Sequence, residues 1–216
     1  MESAATDGHR LAVVLVDKKD NFDEKEDLVS DEENLSVTIP TRSLREIEKL
    51  VSLKTSENSI KLFYDKGQVV FISSNQIITT RTLEGSYPNY SQLIPEKFTK
   101  LFTFKTKKII ESLERIAVLA DQQSSVVKIK LEEKDLALVS ADAQDIGNAS
   151  ELVPVSYDFD KFEIAFNVRY LLEGLKVISS ENVIFKCNLS TTPAVLVPED
   201  NFNSFTYLVM PVQVRS

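Results

Sequence analysis

The chain has 216 residues, 43% of them hydrophobic and 27% charged, with a formal net charge of −8. That composition fits one large or two ordinary globular domains and excludes a disordered chain. No apolar run approaches the ~18 residues of a membrane-spanning helix, and MESAATDGHR at the start does not read as a secretory signal.

One order of elements, strand–helix–strand–strand–strand, reads three times along the chain, from near Asn34, Lys100 and Lys161. A repeat of this kind decides the fold before any local motif does. Ahead of the first copy lies an orphan strand–turn–strand, Ala4 to Val16, expected to be the tail of a fourth copy whose front is absent. The chain thus reads as part of a larger modular protein that starts in mid-domain. Residues 17–34, DKKDNFDEKEDLVSDEEN, carry much of the excess acid without periodicity and are expected to form a solvated loop. Set apart from that loop, the remainder is nearer neutral, so net charge neither supports nor excludes DNA as a partner.

In the first copy Leu35, Val37 and Ile39 alternate with polar residues or proline, which predicts a half-buried strand. Thr41 or Ser43 then starts a helix, and Ser43 with Glu46 has capping-box spacing. Leu44, Ile47, Leu50 and Val51 form its apolar stripe. Strands are predicted at Ile60–Tyr64, Val69–Ser73 and Ile77–Leu83, with turns at Asp65-Lys66-Gly67 and Ser74-Asn75. The second copy reads as a strand at Leu101–Phe104, then a helix capped by Thr106 that turns Ile109, Ile110, Leu113, Ile116 and Ala117 inward. A hairpin, Val126–Leu131 with Leu136–Ser140, and a strand at Ser150–Tyr157 complete it. The third copy reads as a strand at Phe162–Phe166 and a helix capped by Asn167, with Val168, Leu171, Leu172 and Leu175 inward. Its strands are Val183–Leu189, Ala194–Val197 and Phe205–Met210.

A single copy buries one helix stripe and one sheet face, too little to stand alone, so copies are expected to pair across shared cores. Copies two and three predict a complete domain at 100–216, leaving a partial domain at 1–99. The break is expected near Pro95–Thr99, after the polar turn Glu84–Asn89.

Catalytic constellations are scarce. One histidine, His9, and one cysteine, Cys187, cannot supply a Cys/His metal site. Cys187 lies in an apolar run and reads as a buried strand residue; as the lone cysteine it leaves no internal disulfide, and a reducing cytoplasm is the simplest address. No phosphate-cradling glycine loop and no GxSxG elbow is present. The carboxylate pairs Asp158/Asp160 and Glu132/Glu133 sit in polar, turn-like contexts and read as solvated surface. No metal, cofactor or catalytic residue is expected.

Basic residues recur on the outward helix faces: Arg42, Arg45 and Lys49 on the first, Lys107, Lys108 and Arg115 on the second, Arg169 and Lys176 on the third. Acidic neighbours Glu46, Glu48, Glu111, Glu114 and Glu173 dilute them, and each face alone reads as an ordinary solvated one. Aligned side by side, the same positions would form a shallow basic wall suited to phosphates and blind to sequence. The end of the second helix, Ile116–Ala120, is apolar all round; Val118 and Leu119 there either tuck under a loop or face another chain or domain.

Four segments, TDGHRLA (Thr6–Ala12), LEGSYPNYSQLIP (Leu83–Pro95), FNVRYLLEGL (Phe166–Leu175) and YLVMPVQVR (Tyr207–Arg215), resemble the bacterial DNA polymerase III beta subunit, the sliding clamp, in order and spacing. The resemblance runs over essentially the whole chain and matches the later part of the family's second domain and all of its third. It implies an α+β DNA-clamp (processivity) fold of repeated β-α-β-β-β units, with helices on one face and antiparallel sheets on the other. It further implies a non-catalytic subunit of a homodimeric ring that encircles double-stranded DNA and tethers the replicative polymerase. Polymerase, clamp loader and repair proteins would attach short linear peptides to an apolar pocket, with no membrane involved. The matching pocket positions are Thr6, Gly8, His9, Arg10 and Leu11, then Pro88, Gln92 and Leu93, then Asn167 and Tyr170. Thr192, Ala194, Leu208, Val209, Met210 and Pro211 would complete its walls. The basic helix positions would face DNA, and Val118 and Leu119 would face the ring interface.

Departures are the ending MPVQVRS, the long acidic loop, and the absence of the first domain that supplies the other half of the ring interface. A chain of this length is therefore not expected to close the usual ring by itself. The competing reading is an interaction module or decoy that binds clamp-partner peptides and never encircles DNA. A nucleotidyl-transfer enzyme would be a third class and would need a metal-holding carboxylate pair.

Overall fold

Short alternating apolar runs and three amphipathic helices dictate a sheet-rich architecture. The structure is a computed structural model; it describes residues 1–16, 36–52, 60–73, 76–120, 125–143, 147–201 and 204–213, with 50–52 by backbone alone. In chain order the elements begin with β1 (Glu2–Thr6), β2 (Arg10–Leu15), α1 (Thr41–Ser52), β3 (Lys61–Asp65), β4 (Gln68–Ser73) and β5 (Gln76–Arg81). A 3-10 turn, Tyr90–Leu93, precedes β6 (Lys100–Lys105), α2 (Thr106–Ala120), β7 (Val126–Glu133), β8 (Leu136–Ala143) and β9 (Gly147–Tyr157). The last elements are β10 (Phe162–Asn167), α3 (Val168–Lys176), β11 (Asn182–Cys187), β12 (Ala194–Pro198) and β13 (Phe205–Val209). The chain divides into two compact units, Met1–Asp20 with Tyr90–Ser216, and Asn21–Asn89.

The larger unit is built on an antiparallel sheet of order β1-β2-β13-β12-β11-β6-β9-β8-β7-β10. Two copies of the repeat exchange their leading strands. β6, which opens one copy, pairs with β11 of the other, while β10 pairs back with β7. Neither copy's sheet is complete without the other, because each would otherwise expose an unpaired edge. Along β7 and β8 the inward positions Val127, Ile129, Leu131, Ala137, Val139 and Ala141 are buried, and α2 and α3 cover that face. Phe102 and Phe185 stand opposite each other across β6 and β11, with ring centroids 5.1 Å apart, and Phe104 meets Phe185 edge-on at 5.4 Å. Burying each such ring contributes on the order of 1.5–3 kcal/mol. The orphan hairpin β1–β2 does not stand apart: β2 pairs with β13 from Arg10↔Val209 to Val14↔Phe205. On the opposite face Leu11, Val13, Ile184, Val195, Val197 and Leu208 form a second buried cluster, covered by Tyr90, Ile94 and Phe98.

The smaller unit holds α1 and the meander β3-β4-β5. Its core is Ile47, Val69 and Phe71, with Val37, Ile39, Ile60 and Ile78 packed against them. Lys66 and Gly67 both take positive φ (46° and 78°) in the β3–β4 turn, as a right-twisted two-residue hairpin requires.

Several sequence expectations need correction. Residues 36–40 are not a strand. Val37 and Ile39 point inward, but the segment is tied by a bond from Leu83 N–H to Thr38 O, 2.8 Å, and not by a ladder. Ser43 lies inside the first turn of α1, and its hydroxyl shares a 2.7 Å hydrogen bond with that of Thr80 rather than closing a capping box. Leu44 is 45% exposed, not inward. Thr106 begins α2, yet its buried hydroxyl finds no hydrogen-bond partner among the described residues; its N–H donates to Glu181 O at 2.9 Å, so it anchors the helix through the backbone. Leu35, the loop 17–34, the Ser74-Asn75 turn and the side chains of Leu50 and Val51 lie outside the described residues. No helix among the described residues is long and apolar enough to cross a membrane.

Candidate functional site

The turn between β1 and β2 is written into Thr6-Asp7-Gly8. The Asp7 carboxylate accepts the N–H groups of His9 (3.0 Å) and Arg10 (3.1 Å), the Thr6 hydroxyl donates to Arg10 O (2.7 Å), and Gly8 adopts φ +87°. A side chain at that φ would be strained, so Gly8 lets the turn close and swings His9 outward. The antiparallel register then carries the turn to the end of β13, where Met210 N–H donates to His9 O at 2.9 Å.

α3 arrives at the same end of the sheet. Asn167 is its N-cap, as expected, accepting from Arg169 N–H (3.0 Å) and Tyr170 N–H (3.3 Å). The residues after β13 run beside β10: Phe166 bridges to Pro211, and Val212 N–H donates to Ala165 O at 2.8 Å. His9, Asn167, Tyr170, Met210 and Pro211 therefore converge from three segments remote in sequence. The His9 and Tyr170 rings stack at 5.9 Å with a 20° interplanar angle. Met210 is 41% exposed beside them.

Other site candidates are distributed by register. Ala194 pairs with Val209, which brings the Thr192 turn to the level of Met210; there the Thr192 hydroxyl donates to Leu189 O and accepts Leu189 N–H. Leu11, Ala194, Leu208 and Val209 are all at most 3% exposed, so none of them presents its side chain to solvent. Val209 belongs to the helix-side core, whereas Leu11 and Leu208 lie in the opposite cluster. Gln92 and Leu93 are exposed in the segment crossing that second face, whose neighbours Tyr90 and Ile94 pack on it. Pro88 is exposed and lies in the smaller unit.

Arg10, one of the expected pocket positions, makes contacts that sequence reasoning did not foresee. Its guanidinium lies 4.5 Å from the centroid of the Tyr170 ring and donates to Asp7 (2.9 Å) and Glu173 (2.7 Å). Burial works against its charge, but hydrogen bonds with Tyr207, Asp7 and Glu173 hold its pKa above the ordinary arginine value. Burial likewise opposes ionisation of Asp7, and the bonds from His9 and Arg10 outweigh it, leaving the carboxyl below its usual range. Tyr207 donates its hydroxyl to Tyr170 O at 2.7 Å. Asp7, Glu173 and Tyr207 were not singled out as site residues, because only the β2–β13 pairing brings them to one place.

The basic helix positions behave differently. α2 and α3 pack together, and Lys176 of α3 reaches Glu114 of α2 at 2.6 Å. Lys107 and Lys108 both approach Glu111 (4.0 and 3.7 Å), and Arg115 makes two hydrogen bonds to Glu151. Their side chains remain 52–88% exposed. Arg169 is exposed on α3; Arg42, Arg45 and Lys49 are exposed on α1, with Lys49 paired to Glu46 at 2.8 Å. At the end of α2, Val118 is 71% exposed and Leu119 is half-buried.

Reactive groups are quiet. Cys187 is fully buried, and desolvation pushes its thiol up to about 12. Glu132 is gripped by Lys130 (2.6 Å) and Lys161 (2.5 Å), which pull its carboxyl down to about 2. Among the described residues no group of three or more His, Cys, Asp or Glu side chains is placed to hold a metal ion. Two concave surfaces of about 420 Å³ each lie elsewhere, one lined by Lys130, Leu138 and Leu152, the other by Val177, Pro198 and Phe205.

Two family models match, both of the DNA polymerase III beta subunit: that of its C-terminal domain over residues 91–213, and that of its central domain over residues 1–89. The beta sliding clamp of Synechococcus elongatus is 43% identical over 217 residues, covering 100% of this chain and 56% of that protein. The Synechocystis beta sliding clamp is 39% identical over 217 residues, covering 99% of this chain and 55% of its own length. The chain thus spans about half the length of these relatives. Among solved structures, the DNA polymerase sliding clamp from Pseudomonas aeruginosa superposes with a TM-score of 0.86 at 26% identity, covering 99% of this chain and 55% of that one. The beta chain from Streptococcus pneumoniae matches at 0.82 and 28% identity, covering 99% and 54%.

Proposed function

The chain belongs to the DNA polymerase III beta subunit family, the sliding clamps, and on that premise we propose that it is a non-catalytic docking platform of the replication machinery. Partner proteins lay short linear peptides against the surface formed by His9, Tyr170, Met210 and Pro211, with Thr6, Gly8, Gln92, Leu93, Asn167 and Thr192 around it. The single observation that carries this reading is the convergence of three distant segments on one exposed, largely apolar patch with an aromatic pair at its centre. Apolar walls with a few fixed polar groups suit an extended peptide, and an exposed methionine adapts to several of them. Titrating a fluorescein-labelled clamp-binding peptide of a replicative polymerase tests it by anisotropy. Saturable binding is expected; a flat titration of folded protein contradicts the reading.

As a sliding clamp, the protein acts on duplex DNA as part of a ring, with no chemistry of its own, and confers processivity on the replicative polymerase. The faces of α2 and α3 suit that task because they are basic but internally neutralised: Lys107, Lys108, Arg115 and Lys176 each have a carboxylate neighbour. Few counterions would be released on contact, so a duplex would be held weakly and without regard to sequence. Val118 and Leu119 would meet the neighbouring protomer. The alternative, a peptide-binding module that never meets DNA, is favoured by that same neutralisation. Replacing Arg42, Arg45, Lys107 and Lys108 with glutamate separates the two: lost replication support with intact peptide binding favours the clamp, and unchanged support favours the module.

A further inference from the structure

We propose that Arg10 is the positioning residue of the docking surface, fixing the Tyr170 ring from behind instead of pairing with a partner's carboxylate. The inference rests on the peptide-docking reading above and specifies which group keeps that surface in shape. The Arg10 guanidinium already has two carboxylate partners, Asp7 on its own turn and Glu173 on α3, and its Cζ lies over the Tyr170 ring, 4.5 Å from the centroid. Its side chain is 23% exposed, against 42% for Asp7 and 63% for Glu173.

Tyr170 is also held along the helix. The Tyr207 hydroxyl donates to its carbonyl at 2.7 Å, and the Tyr207 ring can reach that carbonyl only because residue 174 is glycine. A Cβ there would stand 2.2 Å from a ring carbon. The hairpin, β13 and α3 therefore meet at one residue, Tyr170, held at its carbonyl by Tyr207 and at its ring by Arg10 and His9. A wall fixed before the ligand arrives loses less rotamer freedom on binding, which raises affinity without adding a contact. Lysine cannot substitute at position 10, since it lacks the planar fork that spans two carboxylates while stacking on a ring.

A double-mutant cycle tests the inference, read as anisotropy of the fluorescein-labelled clamp-binding peptide with circular dichroism confirming the fold of each variant. Arg10→Ala and Arg10→Lys are each expected to weaken binding about tenfold. Glu173→Gln, which leaves the Asp7 arm intact, is expected to give a smaller loss and serves if the arginine variants fold poorly. In a Tyr170→Ala background all three are expected to have no further effect, because the group they act through is gone. Losses that add in that background, or full affinity in Arg10→Lys, would overturn the inference while leaving the docking reading in place. Failure of the unaltered chain to bind would overturn both.

Discussion

Asn167 shows how one side chain sets a surface. Its carboxamide satisfies two of the first N–H groups of α3, and one of them belongs to Tyr170. Asn167→Ala is expected to remove about 1 kcal/mol of stability, a fall of roughly 2–4 °C in melting midpoint for a chain of this size. Thermal unfolding checks it. Glu132 makes a different kind of point. Its carboxyl, held by Lys130 and Lys161, titrates at about 2 against an ordinary 4.5. A group lowered on folding adds stability above its unfolded pKa and loses it as pH falls towards the folded one. The acid limb of stability between pH 4.5 and about 2 should accordingly flatten in Glu132→Gln. Urea midpoints measured across that window check it, and an unchanged limb in the variant would refute the assignment.

Among the helices, α3 carries the most consequence per turn. Alanine in place of glycine ordinarily strengthens a helix by about 1 kcal/mol. At position 174 the added methyl would meet the ring of Tyr207, which is 5% exposed and stacked on Phe205, and so has little room to yield. Overpacking of that kind costs roughly 1–3 kcal/mol, so the clash wins. Gly174→Ala is expected to lower stability in chemical denaturation, and a more stable variant would show that the ring can move. The inward faces of α2 and α3 and most strand positions were readable from periodicity, because burial on one side imposes it. Residues 36–40 misled because alternation reports which side chains face inward, not whether a neighbouring strand supplies a ladder. The capping readings at Ser43 and Thr106 failed for a related reason: spacing names a possible acceptor, and tertiary partners such as Thr80 and Glu181 decide the outcome.

Taken together, the elements form two units, each carrying part of a repeating design. The repeat itself was legible, since its copies share element order and apolar spacing. The exchange of β6 and β10 between copies was not, nor was the joining of β2 to β13, because pairing between remote strands leaves no local signal. That second pairing is what unites the TDGHRL turn with the end of β13, so the site was legible only through resemblance to a family. Assembly belongs to this level too. Val118 stands 71% exposed at the end of α2, and if it meets another protomer the chain should self-associate with rising concentration. Sedimentation velocity is expected to show self-association, or binding to an added full-length clamp, that Val118→Asp abolishes; an unaltered chain that stays monomeric and binds no added clamp would count against that role.

The most direct measurement is hydrogen–deuterium exchange of the full chain with and without the clamp-binding peptide. Peptide-induced protection is expected at residues 6–11, 167–171 and 208–212 together, with the β8–β9 pair unchanged. Protection confined to some other region, or none at saturating peptide, would contradict the idea that these three segments form one docking surface.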